Sequence, residues 1–228
     1  MSNQTKRTLL SLTGLGVFLL LAFGSEYSTN KNTSNNNSSS KSPETSSTKK
    51  DATTFTNSKA GLTGKLEENF VDFSFDYPSK WQRDPEAGTG TSANFVKVEN
   101  STSGGSTIEN FAVGYCSCPA STLPKLAAQL SDLYEHGGNF PDYKKTSDGP
   151  TTVAGLEGYE FRFTSHLAKG GNELDLWGRA VLLPSTTERK GAVLVMIGSS
   201  ASPILHGVED VGEKGELPII LNSFKFGP

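Results

Sequence analysis

Three regimes of hydrophobic and polar positions divide the chain. Thr8 to Ser25 (TLLSLTGLGVFLLLAFGS) is an uncharged, largely apolar run behind Lys6 and Arg7. Residues 26–59 are almost wholly Ser, Thr, Asn and Lys, with Tyr27 and Phe55 the main apolar exceptions. From residue 60 to 228, apolar residues recur with the periods of strands and helices. Phe73, Phe75 and Tyr77 alternate, as do Phe111, Val113 and Tyr115, the mark of strands with one buried face. The pattern predicts strands over Phe70–Tyr77, Asn94–Glu99, Thr107–Cys116, Thr151–Leu156, Gly158–Ser165, Glu173–Leu183 and Gly191–Ser199. Leu123, Leu126, Ala127, Leu130 and Leu133 form a helical stripe that docks on the domain's own sheet. Ser121 or Thr122 caps it, Pro124 sits in its first turn, and Gly137–Gly138 end it. A second helical segment is expected around Glu216–Asn222. Short Gly-rich connections, as between Ala168 and Asn172, favour antiparallel pairing. The expected fold is α+β: an antiparallel sheet of six to seven strands flanked by helices, an α/β/α sandwich.

The apolar run admits two readings. A spanning helix needs about 17–25 apolar residues, which the run just reaches. A cleavable signal needs a basic start, a shorter apolar core and small residues at the cut, and Ala22 and Gly24 before Ser25 supply these. The run lacks the terminal Cys of a lipoprotein signal. Under either reading the basic residues remain cytoplasmic, so the rest of the chain is expected outside the cytosol, in the periplasm, a thylakoid lumen or the exterior. Residues 1–25 are therefore read as a signal anchor or signal peptide. Residues 26–59 are read as a disordered linker, too poor in apolar groups to offset the entropy of ordering. Such a linker reaches roughly 30 Å. Asn32, Asn36 and Asn37 stand in N-x-[ST] frames, which Asn/Ser/Thr richness produces by chance. Residues 60–228 are read as one globular domain.

Net charge is −3 with a pI near 5.7, so neither sign dominates. No basic stripe interleaved with aromatics is present, which argues against nucleic acid as a partner. The sequence contains no G-x-S-x-G, no H-E-x-x-H and no phosphate-binding glycine loop. The expectation is a non-enzymatic protein without a cofactor. Cys116 and Cys118 in GYCSCP are expected as half-buried thiols at a strand end, with a labile redox pair as the alternative; a bridge across one residue demands narrow geometry. Glu209, Asp210 and Glu213, in the acidic stretch GVEDVGEKGE, are the candidate metal-binding carboxylates. Their spacing fits no calcium loop, and a solvated loop is the simpler expectation. His206 and Asp210 would form an acid–base pair on a helix, against an ordinary surface or capping role. Arg162, Trp177 and Arg179 are the candidate partner-binding residues. If Glu160 shares their face, a cross-strand ion pair is the structural alternative.

Five segments in order, FSFDYPSKW (73–81), GLEGYEFRF (155–163), WGRAVLLP (177–184), GAVLVMIGSS (191–200) and GELPIILNSFKF (215–226), resemble the PsbP-like superfamily. The resemblance spans about residues 68–226. It implies an antiparallel sheet between helical layers and a non-enzymatic accessory role, such as an extrinsic subunit docking on a membrane protein complex. The motifs are core and turn positions, so they carry the fold and transfer no site. The leading expectation is thus a binding domain tethered to the membrane by its N-terminal segment. The alternatives are a small-ligand or metal-ion binding envelope protein and a thiol-redox protein using the CSC pair.

Overall fold

The computed structural model describes residues 15–16, 51–89, 92–169, 172–185 and 190–227. In chain order the strands are β1 (Leu15–Gly16), β2 (Ala52–Thr56), β3 (Phe73–Pro78), β4 (Gln82–Arg83), β5 (Asn94–Ser101), β6 (Thr107–Cys116), β7 (Lys144–Val153), β8 (Leu156–Lys169), β9 (Asn172–Pro184), β10 (Gly191–Ser199) and β11 (Lys225–Phe226). The helices are α1 (Gly64–Glu68), α2 (Leu123–His136) and α3 (Leu217–Ser223). The main sheet is antiparallel and runs β4-β5-β6-β10-β9-β8-β7. A second antiparallel sheet runs β11-β3-β2.

The expected α+β architecture is present, and each face of the main sheet has its own core. On one face α2 buries Leu123, Ala127, Leu130 and Tyr134 against Phe161, Phe163, Val193 and Val195. On the other, β3 and α3 bring Phe73, Phe75, Leu217 and Ile220 against Phe111, Val181, Leu194 and Met196. That second outer layer is a small sheet plus a helix. Strands 107–116 and 191–199 occur over the expected spans, because both alternate cleanly or are buried on both faces.

Two expectations need correction. Residues 52–59 are expected in the linker, yet Ala52–Thr56 pairs with β3 and Phe55 is 9% exposed in the core. The Thr-rich segment reads as linker by polarity, but threonine is also a good strand former. Ala52–Thr56 is therefore part of the folded structure. The expected strand Thr151–Leu156 is also displaced. The chain turns at Ala154 and Gly155, both at positive φ (48° and 81°), and β7 extends back to Lys144. A two-residue turn of this kind matches strand twist, but an alanine gives no warning of it. Pro150 is tolerated because β7 is an edge strand. Lys144, Lys145, Pro150 and the irregularity between Lys145 and Ser147 also make this edge a poor template for another strand.

Apart from Leu15–Gly16, the segment expected as a signal or anchor and most of the expected linker lie outside the described residues. Leu15–Gly16 is extended and pairs with Tyr115–Cys116 of β6. No helix among the described residues is long and apolar enough to cross a membrane.

Candidate functional site

The register of β8 and β9 dictates which polar side chains meet. Directly paired residues share a face. Arg162 therefore stands opposite Arg179, Thr164 opposite Trp177, and His166 opposite Asp175. Lys144 of β7 joins the Thr164 row. Alternation places all these residues on the face that carries Val181 and Leu183.

Arg162 and Arg179 are 7% and 5% exposed, and like charges directly opposed are unfavourable. Glu160 resolves the conflict. Its Oε1 accepts from Arg162 Nε at 3.0 Å, and its Oε2 accepts from Arg179 Nε at 2.9 Å and Nη2 at 2.7 Å. Burial pushes the Glu160 carboxyl up, but Arg179, Thr151 and Arg162 together outweigh that and hold it below the usual range. Arg162 Nη1 also donates to the carbonyls of Val208 and Val211, and Arg179 Nη1 to Glu213 at 3.0 Å. The cluster pins the loop that leads to α3 onto the sheet. Both guanidinium groups are engaged internally, and Trp177, the third of the candidate anchors, stands on the same face beside Arg179 on β9.

The acidic loop is likewise tied to cations. Glu213 and Glu209 face Arg162 at 3.7 and 3.9 Å, and Asp210 faces Lys214 at 2.9 Å. Asp210 also accepts from the backbone N–H of His206, so it closes a turn. Lys214 and this N–H hold its carboxyl below the usual range. No group of three or more His, Cys, Asp or Glu among the described residues is placed to hold a metal ion.

Cys116 and Cys118 form a disulfide, which corrects the expectation of two thiols. The chain leaves β6 at Cys116 and bends through Ser117, so the Cα atoms lie 5.2 Å apart, within the usual range for a bridge. The pair is 3% and 0% exposed. It fills the niche left by Gly191, where a Cβ would collide with Cys118 Sγ and the Leu183 carbonyl.

Glu109 provides a further buried carboxylate that sequence reading missed. It is 3% exposed and accepts from the N–H groups of Glu216 and Leu217 at the start of α3. Burial raises its pKa against the opposing effect of those donors. Gly215, at φ 73°, has no room for a Cβ because the Glu109 carboxylate fills that position. Gly215→Ala is expected to destabilise the domain by about 1–3 kcal/mol through overpacking at a left-handed position. Urea denaturation checks this; an unchanged midpoint would contradict it.

Beyond the clamp, the sheet face opens into a cleft of about 620 Å³. Thr164, His166, Asp175 and Trp177 lie along its floor, with Asp142 and Lys144 at the β7 side. Trp177 is partly buried. His166 Nδ1 meets Asp175 at 2.8 Å. That bond raises the imidazole pKa; slight desolvation opposes it, and the fields of Asp175, Glu173 and Asp142 add to it. Sequence reading singled out Trp177 but not His166 or Asp175. The hairpin between Ala168 and Asn172 was the available signal, since its register sets both pairs.

No family model matches the sequence, and no curated protein matches it. Among solved structures the chain is similar to cyanobacterial PsbP (CyanoP) of Synechocystis sp. PCC 6803, at 14% identity and TM-score 0.47, over 78% of this chain and 93% of that one. It is similar to LpqN of Mycobacterium tuberculosis, involved in cell envelope biogenesis, at 10% identity and TM-score 0.43, over 78% and 92%. It is also similar to a protein of Bacteroides thetaiotaomicron VPI-5482, at 11% identity and TM-score 0.40, over 68% of this chain and 45% of that chain's length. At these identities and scores the likeness assigns no activity.

Proposed function

We propose that this protein is a non-enzymatic binding domain held outside the cytosol by its N-terminal segment, where it docks on a membrane protein complex. The buried Cys116–Cys118 disulfide is the observation that carries the location. Disulfides persist in oxidising compartments and are rare in the cytosol. An apolar run behind Lys6 and Arg7 and a polar tether before Asp51 suit the same placement. Arg162 and Arg179 pair with Glu213, and Asp210 pairs with Lys214, within the domain, which leaves Trp177 as the candidate anchor for a partner.

Thiol trapping with an alkylating reagent in intact cells tests the location. The full chain is expected to show no free thiol before reduction and two after it. A version lacking residues 1–25 is expected to show two free thiols at once. Equal labelling of both would remove the case for export. Cross-linked capture from membranes tests the docking. The full chain should retain a partner that the anchor and tether alone do not. If no partner depends on residues 51–228, docking on a complex is wrong.

The cleft over β8 and β9 favours a second reading, a small-ligand binding protein of the envelope. Its volume falls within the range of small-molecule sites, about 300–1,000 Å³.

A further inference from the structure

The cleft has a composition that narrows its ligand. Lys144 supplies positive charge, Asp142 and Asp175 supply negative charge, and His166 is hydrogen-bonded to Asp175. Both signs are present in the cleft. An anion entering the cleft meets two carboxylates, and a cation meets Lys144 beside an imidazole whose pKa is raised. What remains uncompensated is neutral hydrogen-bonding capacity around an aromatic ring. Lys144 donates, the aspartates accept, and Thr164 does both. The Asp175 bond occupies His166 Nδ1 and leaves Nε2 as the ring's remaining polar atom. Trp177 is partly buried and stands on a central strand, next to Thr164 in the ladder. Strand-borne side chains of this kind are held in place before a ligand arrives.

We propose that this cleft binds a neutral sugar ring of a glycan. A hexose has an apolar C–H face and a rim of hydroxyls that both donate and accept. Trp177 offers the face a rigid aromatic platform. Thr164, His166, Asp175 and Lys144 offer the rim its partners. The inference deepens the small-ligand reading and rests on it; docking on a membrane complex can fail without affecting it.

The test titrates the full chain, in a zwitterionic detergent free of sugar, with maltotriose, cellotriose and chitotriose. Indole fluorescence and saturation-transfer NMR are the readouts. Trp81 is 4% exposed and bonded to Glu216, so the fluorescence change reports Trp177. At least one trisaccharide should give a saturable response. Trp177→Ala should weaken it roughly tenfold or more, as truncation of a central aromatic anchor does. Asp175→Asn, at an exposed position, should also weaken it while melting like the parent, which keeps the test decisive if Trp177→Ala misfolds. No saturable response to any of the three at tens of millimolar overturns the proposal. So does a response to sodium acetate, inorganic phosphate or tetramethylammonium alone, or sugar binding that both variants retain in full.

Discussion

Replacing Glu160 with alanine is expected to destabilise the domain by about 3–5 kcal/mol, the effect of removing one partner from a buried charge network. Arg162 and Arg179 would remain opposed across β8 and β9, each less than a tenth exposed, without the carboxylate that joins them. Thr151 and Glu213 would still contact Arg179, but Glu213 is 59% exposed and its attraction is screened by water. The loop around Val208–Val211 would lose its fixed anchor, because the Arg162 fork that holds its carbonyls is itself oriented by Glu160. Guanidinium-chloride denaturation gives the number directly. A loss below about 1 kcal/mol would mean that the network behaves as an exposed ion pair.

The same carboxylate gives the parent protein an acid limb. Glu160 has a folded pKa below its unfolded value, so its contribution to stability is complete above the unfolded carboxylate range and falls as pH drops through the folded pKa. Glu109 has the opposite sign. Its folded pKa is raised, so its contribution is complete below the unfolded value and declines as pH rises through the folded one. Glu160→Ala should therefore flatten the loss of stability in acid, and Glu109→Gln should remove a decline on the rising side. The two variants separate the groups in a pH series of melting curves.

What could be read from the sequence follows the range over which each signal acts. The stripe of α2 and the alternation of β6 are local, and both elements lie where the residues predict. The Glu160–Arg162–Arg179 grouping was legible as a possible cross-strand pair, because a hairpin is nearly local. Its use as a clamp on Val208–Glu213 was not, since that loop lies 46 or more residues from Arg162 in sequence. Glu109 capping α3 from 107 residues away was beyond pattern reading for the same reason. The disulfide depended on the chain bending between its two cysteines, and Ser117 and Pro119 signal an end to β6 without fixing the 5.2 Å approach of the Cα atoms. The cleft was half legible: Trp177 drew attention as a large aromatic on a strand, and its polar neighbours required the register.

Phe55→Ala is expected to destabilise the domain by about 3–5 kcal/mol, as truncation of a buried phenylalanine does. The ring lies 5.4 Å from Phe75 and 5.9 Å from Phe73, and the Arg83 guanidinium stacks over it at 5.0 Å. Alanine would withdraw these contacts together and leave a cavity between the small sheet and the main one. It would also loosen β2, which is an edge strand held to β3 by five paired positions. A version of the protein from which 52–59 is deleted should suffer at least as much, since it also loses the Asn57 bond to the Val71 carbonyl and the pairing of Asn57 N–H with Phe73. Thr53→Ser and Thr54→Ser serve as controls, because both side chains are exposed and keep their hydroxyls. If Phe55→Ala and the deletion both unfold at the parent's urea midpoint, β2 belongs to the tether and the domain starts after it. If both lose stability while the serine variants do not, β2 is part of the folded core.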